Sequence, residues 1–396
     1  MQGFLYMNKI VYLDAAASFL KPQAVVDAEV DFLMNRYANA GRGVCARAEA
    51  VDVMVQNTRN QVAKFINAEP NQVVFTSGAT DSLNRIVNII LCQPWYSEMS
   101  NFTVSDLDHH SARLPWQELL HLGKIRKMFK CELDENFDIN INSVPKTDFL
   151  VITAMSNVIG RPQDVAKIIK AARRKNPNVV TIVDATQYVV HEKIDVKAWD
   201  CDFMVASGHK IGADTGVGIL YIKDSEKYFP DKFGGGMVLR VGDIGVGHDV
   251  SYGKLVYEND LSANIVLNRA PEKFEAGTLP LTQICGLSVA ISELEIRRPD
   301  LNLIKYMYDE LNNIPRVKLL TSRDAALLSF VVDGMHPLDI GAMFGANNIC
   351  VRVGNMCASW IHHLLDVDGS VRVSIGPWNT MADAEKFISV LKGIVK

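Results

Sequence analysis

Short apolar runs alternate with helical patterns through the first 220 residues of the chain. Residues 73–75, 149–153, 179–183, 203–205 and 217–222 are continuous hydrophobic stretches rich in branched side chains, as buried strands covered on both faces should be. Residues 81–91 and 164–175 repeat apolar side chains at helical spacing. This alternation predicts an α/β fold with a mostly parallel, helix-covered sheet. After about residue 280 the texture changes to a long helical stretch, then to short strands at residues 327–332, 349–353 and 371–374, as in a smaller α+β unit. A large domain is therefore expected at residues 20–275, and a small one from residues 276–396 joined by residues 1–19. The stretch 233–270, with Gly234-Gly-Gly236, has weak periodicity and is expected to be irregular, a candidate active-site flap.

Composition narrows the class. A chain of 396 residues with 48% hydrophobic and 22% charged residues can bury an ample core. Its net charge of −4, with both signs interspersed, lacks the clustered basic face that nucleic-acid binding requires and leaves a small molecule as the expected ligand. No apolar run approaches the roughly 18 residues of a membrane span, and the first residues lack a signal-peptide pattern, so a cytoplasmic location is expected. Seven cysteines without a Cys-x-x-Cys pair suit neither a disulfide framework nor a structural zinc site. Cys92, Cys201, Cys285 and Cys350 lie in or beside apolar runs and are expected in the core.

Two strand ends carry the first chemical signal. The run 179–183 ends on Asp184, and Asp200-Cys-Asp-Phe-Met-Val-Ala-Ser-Gly-His-Lys210 reads as a strand that breaks at Ser207-Gly208 and presents His209 and Lys210 just beyond it. Ligands of open α/β sheets sit beyond the carboxyl ends of strands, so Asp184 and Lys210 are expected to face one crevice. Pyridoxal 5'-phosphate needs that pair: its aldehyde condenses with a lysine amine, and a buried carboxylate keeps its ring nitrogen protonated so that the ring accepts electrons. Either residue alone reads more simply as a solvated lysine or a helix-capping aspartate; together, in this order, they favour the cofactor.

Asp184-Ala-Thr-Gln187 followed by Ser207-Gly-His-Lys210 resembles the class V aminotransferase group of fold-type I pyridoxal-phosphate enzymes, most closely the group II cysteine desulfurases and selenocysteine lyases. The resemblance implies a large domain with a seven-stranded type of sheet and a smaller C-terminal domain. It extends to further segments. Val73-Val-Phe-Thr-Ser-Gly-Ala-Thr80 is a strand, a glycine turn and a helix start, whose free N–H groups could hold a phosphate or simply be capped. The family binds the cofactor phosphate at this turn, which implies Gly78, Ala79 and Thr80, with Ser207 and His209 completing the cradle. Asp108-His109-His110 resembles the segment whose first histidine stacks on the cofactor ring; a metal pair is disfavoured because adjacent side chains diverge and no further ligand stands at a suitable spacing. Ala154-Met-Ser-Asn157-Val-Ile-Gly160 looks like the family turn that, with Gln187, contacts the cofactor's phenolic oxygen and the substrate carboxylate.

Lys273-Phe-Glu-Ala-Gly-Thr278 is similar to the segment whose threonine reaches the phosphate of the neighbouring subunit, which implies a homodimer. Arg352-Val-Gly-Asn-Met-Cys357-Ala is a glycine-containing loop after a strand, where a thiol can be exposed and nucleophilic. Its resemblance to the reactive-cysteine loop of the family makes Cys357 the implied acceptor of sulfur. Arg372, flanked by valines on a strand, needs an anionic partner, either a structural carboxylate or, as the family implies, the substrate carboxylate. Tyr12-Leu-Asp-Ala-Ala-Ala17 and Ala38-Asn-Ala-Gly-Arg-Gly43 also look like family segments, so the resemblance spans about residues 10 to 380. Where these desulfurases typically show histidines around Arg-Gly and before the reactive cysteine, this chain has Gly41, Cys45, Asn355 and Met356. The implied activity is conversion of L-cysteine to L-alanine, with sulfur left on Cys357 as a persulfide for an acceptor protein. Selenocysteine lysis, transamination or epimerisation on the same fold are the alternatives, and a sulfur-transfer scaffold without turnover is a more distant one.

Overall fold

The structure, a computed structural model, describes residues 10–41, 43–242 and 264–396. Its larger unit is built on seven strands: β1 (Val73–Thr76), β2 (Asn101–Val104), β3 (Lys127–Lys130), β4 (Phe149–Thr153), β5 (Val180–Asp184), β6 (Phe203–Ser207) and β7 (Gly218–Ile222). They lie in the order β1-β7-β6-β5-β4-β2-β3, parallel except for β7, which runs antiparallel to both neighbours. Every residue of β1, β4, β5, β6 and β7 is buried, which explains why their sequences are unbroken apolar runs. Alternate side chains enter two different cores: Leu150, Ile152, Val183 and Met204 on one face of the sheet, Phe149, Val151, Ile182 and Phe203 on the other.

Strands β2 and β3 were not expected from the hydrophobic pattern. Lys127-Met-Phe-Lys130 is an edge strand with exposed lysines at both ends, which protects the edge and removes the apolar signal. The expected irregular stretch 233–270 contains an antiparallel pair, Val238–Gly242 with Asn264–Leu267. The rest of that candidate flap lies outside the described residues.

The smaller unit is a four-stranded antiparallel sheet in the order Val317–Leu319, Leu328–Val332, Ser370–Val373, Arg352–Gly354. Val11 and Leu13 pack into its core, and Val11–Tyr12 pairs with Ile349–Cys350. Helix Leu281–Ile296 instead buries Ile284, Leu287 and Ile291 in the core of the larger unit, so that core extends past residue 275. Cys131, Cys201 and Cys285 are buried and Cys350 is half-buried, but Cys92 is exposed at the end of helix Ala79–Leu91, contrary to the expected core placement. No helix among the described residues is long and apolar enough to cross a membrane.

Candidate active site

The carboxyl ends of β4, β5 and β6 open onto one cavity of about 410 Å³, within the range usual for small-molecule sites. Asp184 is the last residue of β5 and Ser207 the last of β6, after which Gly208–Lys210 forms a single helical turn. This turn brings Lys210 to the wall that Asp184 also lines. The Lys210 ammonium donates at 2.8 Å to the carbonyls of both Ala16 and Ala17. Burial, and then the Arg372 charge, lowers its pKa from the ordinary lysine value to about 8. Asp184 is itself buried, and its Oδ1 accepts from the Thr186 amide at 2.9 Å.

The glycine turn lies against β6. Helix Ala79–Leu91 begins at Gly78, and Ser207 Oγ accepts from the Ala79 amide at 2.8 Å. Gly78 and Gly218 approach so closely that a Cβ on Gly218 would stand 2.5 Å from the Gly78 backbone, which requires the glycine at the start of β7. Ala79 and Thr80 line the cavity, as do Ser207 and His209. Burial, and then the Lys210 charge, pushes the pKa of His209 down to about 4, so it stays neutral near pH 7.

His109 caps helix His110–His121: its Nδ1 accepts from the Ser111 amide at 3.2 Å and lies 2.7 Å from Ser111 Oγ. That geometry assigns the ring proton of the neutral form to Nε2. Asp108, fully buried, fixes the segment by accepting from the Ser105 and Thr153 amides at 2.7 and 2.8 Å, and burial raises its pKa to about 7. His110 points elsewhere, toward Ser359, so the two histidines do not act as a pair.

The smaller unit closes the cavity. Arg372 is almost fully buried; it donates to the Asn157 carbonyl at 3.0 Å and to Asp14 Oδ1 at 3.3 Å, while its Nε has no partner among the described residues. Burial lowers its pKa to about 10 despite the Asp14 charge. Arg352 also lines the cavity and donates to Asp14 Oδ2 at 2.5 Å. The carboxylate partner that Arg372 required is therefore present as Asp14, and two arginines share it. Asn157 Nδ2 donates to the Met356 carbonyl at 2.8 Å. Cys357 is exposed and lines the same cavity.

The N-terminal segment contributes more than its sequence suggested. Asp14, Ala16 and Ala17 hold Arg372, Arg352 and Lys210, and Gln187 Nε2 donates to the Ala16 carbonyl at 2.8 Å. The signal available for Asp14 was its burial-compatible setting in Tyr12-Leu-Asp-Ala-Ala-Ala17; main-chain carbonyls at a site leave no sequence trace. Thr278 is not among the residues at this cavity. It lines a second cavity of about 650 Å³ with Gly41, Arg59 and Glu275. Cys45 is exposed just before helix Ala46–Ile66 and does not line the Lys210 cavity. Met356 does line it, whereas Asn355 serves the loop by accepting from the Ala358 amide at 2.8 Å.

The family model for aminotransferase class-V matches residues 11–387. The chain belongs to that family. Curated relatives include a cysteine desulfurase of Shigella flexneri, 30% identical over 97% of this chain and 93% of its own length. Another is a cysteine desulfurase of Wigglesworthia glossinidia brevipalpis, 28% identical over 98% of this chain and 93% of its own. Among solved structures, an apo cysteine desulfurase from Thermococcus onnurineus superposes with a TM-score of 0.88 at 27% identity, covering 100% of this chain and 96% of that one. This class-V chain thus has the fold-type I architecture of those cysteine desulfurases, with the seven-stranded sheet that the resemblance implied.

Four buried polar atoms without a partner among the described residues belong to cavity-lining side chains: Asn157 Oδ1, Thr186 Oγ1, Gln187 Oε1 and Arg372 Nε. Unpaired buried polar groups are costly, about 1–3 kcal/mol each, and their gathering here marks a place prepared for a polar ligand. An amine that can condense with an aldehyde, a buried carboxylate and a glycine turn at a helix start suit pyridoxal phosphate in particular.

Proposed function

We propose that this chain is a pyridoxal-phosphate-dependent cysteine desulfurase that converts L-cysteine to L-alanine and stores the sulfur on Cys357. The observation that carries this reading is one cavity lined by an amine, Lys210, a buried carboxylate, Asp184, a buried arginine, Arg372, and an exposed thiol, Cys357. The thiol favours desulfuration over transamination or epimerisation, neither of which needs one. When bound, the cofactor supplies an electron sink that draws charge from the substrate Cα and weakens its Cβ–S bond.

The side chains divide the remaining work. Lys210 would hold the cofactor through its amine and would move protons at the substrate carbons. Asp184 would hold the proton on the ring nitrogen. His109 would lie against the ring, and the Gly78-Ala79-Thr80 turn, Ser207 and His209 would take the phosphate. Asn157 and Gln187 would contact the phenolic oxygen and the substrate carboxylate. Arg372 exchanges part of its contact with Asp14 for the substrate carboxylate. The Cys357 thiolate attacks the substrate sulfur as the Cβ–S bond breaks. The bonding pair stays with carbon, which takes up a proton and ends as the alanine methyl, while Cys357 ends as a persulfide that an acceptor protein can take. Thr278, which lines another cavity of this chain, would reach the phosphate of a second subunit in a homodimer.

Steady-state assay of alanine release from L-cysteine tests the reading directly. With a thiol reductant the parent enzyme should release alanine and sulfide in equal amounts. Arg372→Lys keeps the charge and loses the fork, so its KM for cysteine should rise about 10- to 100-fold while the resting absorbance of the cofactor is unchanged. A parent enzyme that makes no alanine would overturn the proposal.

Lys210 makes a second expectation quantitative. Only its neutral amine reacts with an aldehyde, and deprotonation is half complete at its pKa of about 8. Uptake of pyridoxal phosphate by cofactor-free protein should therefore accelerate between pH 7 and 8 and level off by about pH 9, whereas an ordinary lysine would keep gaining about tenfold per pH unit up to its pKa near 10.4. Stopped-flow absorbance across that range checks it.

A further inference from the structure

The loop that carries Cys357 is held in an unusual way. Met356 and Cys357 have φ values of +50° and +54°, two consecutive non-glycine residues in the left-handed region. Side chains disfavour that conformation, so a pair of such residues persists only where surrounding contacts impose it. Part of the restraint comes from Asn157, whose Nδ2 donates to the Met356 carbonyl. A second restraint comes from His110, which the mechanism does not use.

His110 holds the chain at Cys357 and just after it. Its main-chain amide donates to the Cys357 carbonyl at 2.7 Å. Its Nε2 accepts from the Ser359 amide at 3.2 Å and lies 3.0 Å from Ser359 Oγ, which supplies the first turn of helix Ser359–Leu364 with a partner. No side chain within that turn does this, since the N-cap position is Ala358. The ring also meets Trp360 edge-on, with centroids 5.0 Å apart, and the Arg113 guanidinium stacks 4.1 Å from the Trp360 ring on the same helix that begins at His110. Accepting from a backbone N–H requires an unprotonated Nε2, and burial lowers the His110 pKa in the same direction.

We propose that the His110 side chain is the positioning group that, by holding Ser359 and Trp360 just after Cys357, keeps the Cys357 loop in its left-handed conformation and so presents the thiol to the cavity, its main-chain bond to the Cys357 carbonyl being common to the parent and to any His110 variant. It clamps the loop from the same helix start that carries His109, so the group over the cofactor site and the nucleophile are set by one piece of backbone. The inference rests on the function proposed above only for its kinetic consequence; the clamp itself is a statement about the loop.

The test uses His110→Ala and His110→Gln in the full-length holoenzyme. Glutamine Oε1 can take the place of Nε2 as an acceptor for the Ser359 amide, while alanine cannot. Hydrogen–deuterium exchange of the peptide covering residues 355–364 should be at least about tenfold faster in His110→Ala, and His110→Gln should return most of the way to the parent. Alanine formation should show kcat reduced about tenfold or more in His110→Ala with KM for cysteine within about twofold of the parent, because substrate is bound by other residues. Unchanged exchange in His110→Ala would overturn the clamp. So would faster exchange with an unchanged kcat, since the thiol would then need no positioning. If His110→Ala does not fold, the folded His110→Gln decides by matching the parent in both readouts, and a glutamine variant as loose and slow as a failed clamp contradicts the proposal. A parent that forms no alanine would refute the desulfurase reading instead, and the exchange comparison would still decide whether His110 restrains the loop.

Discussion

Lys210→Ala should be purified colourless, with no cofactor retained through gel filtration, and alanine formation from cysteine should fall by at least about 10³-fold. The expectation follows from the position of Lys210 on the turn that leaves β6, in the same cavity as Asp184 and with its pKa lowered to about 8. The substitution should leave the fold intact. Among the described residues Lys210 donates only to two main-chain carbonyls, those of Ala16 and Ala17, which a water molecule can satisfy beside the cavity. Absorbance near the visible band of the parent, compared with the thermal midpoint of both proteins, separates loss of the cofactor from loss of folding. A yellow Lys210→Ala protein whose colour survives denaturation would assign the covalent link to another amine.

Much of this arrangement could be read from the chain before its structure. The five fully buried strands announced themselves as apolar runs because both their faces are covered, and β4 was placed to the residue. Asp184, Ser207, His209 and Lys210 were legible for a related reason: each is polar and stands where a buried strand stops, so it must face either solvent or a site. The edge strands β2 and β3 were not legible, since Asn101-Phe-Thr-Val104 and Lys127-Met-Phe-Lys130 are short and carry polar ends. Helix Leu281–Ile296 was assigned to the smaller unit by its position in the chain, but its partners are helices of the larger one, and sequence order does not reveal partners.

At the site, the missing parts were those defined by tertiary contact. Asp14 lies 338 residues before Arg352 and 358 before Arg372, yet it pairs with both. Arg372 could be recognised as needing an anion, but not which one, because the sequence offers no way to choose between a carboxylate of the chain and one of the substrate. The structure shows the first, Asp14. His110 was weighed only as a metal partner of His109, because its own partners at Ser359 and Trp360 arrive from about 250 residues away.

Cys357→Ala is the substitution with the second large expected effect. It leaves Lys210, Asp184 and Arg372 in place, so the variant should bind the cofactor and change its absorbance on addition of cysteine. Alanine release should nevertheless fall by about 10³-fold or more, since the substrate sulfur then has no thiolate to receive it. Full activity in this variant would point to a lyase, a transaminase or an epimerase, whose chemistry needs only the cofactor. Cys45 is the competing acceptor to consider, being exposed and at one of the positions where related enzymes typically carry histidine, but it lies outside the cavity that Lys210 and Arg372 line.

Where the sulfur goes is therefore the measurement that bears most directly on the proposed function. Wild-type holoenzyme is given one equivalent of L-cysteine without reductant, quenched after a single turnover, alkylated, digested and mapped by peptide mass spectrometry. One extra sulfur per subunit on Cys357, appearing together with one alanine, is the expected result. Alanine without sulfur on Cys357, or sulfur carried mainly by Cys45, would contradict it.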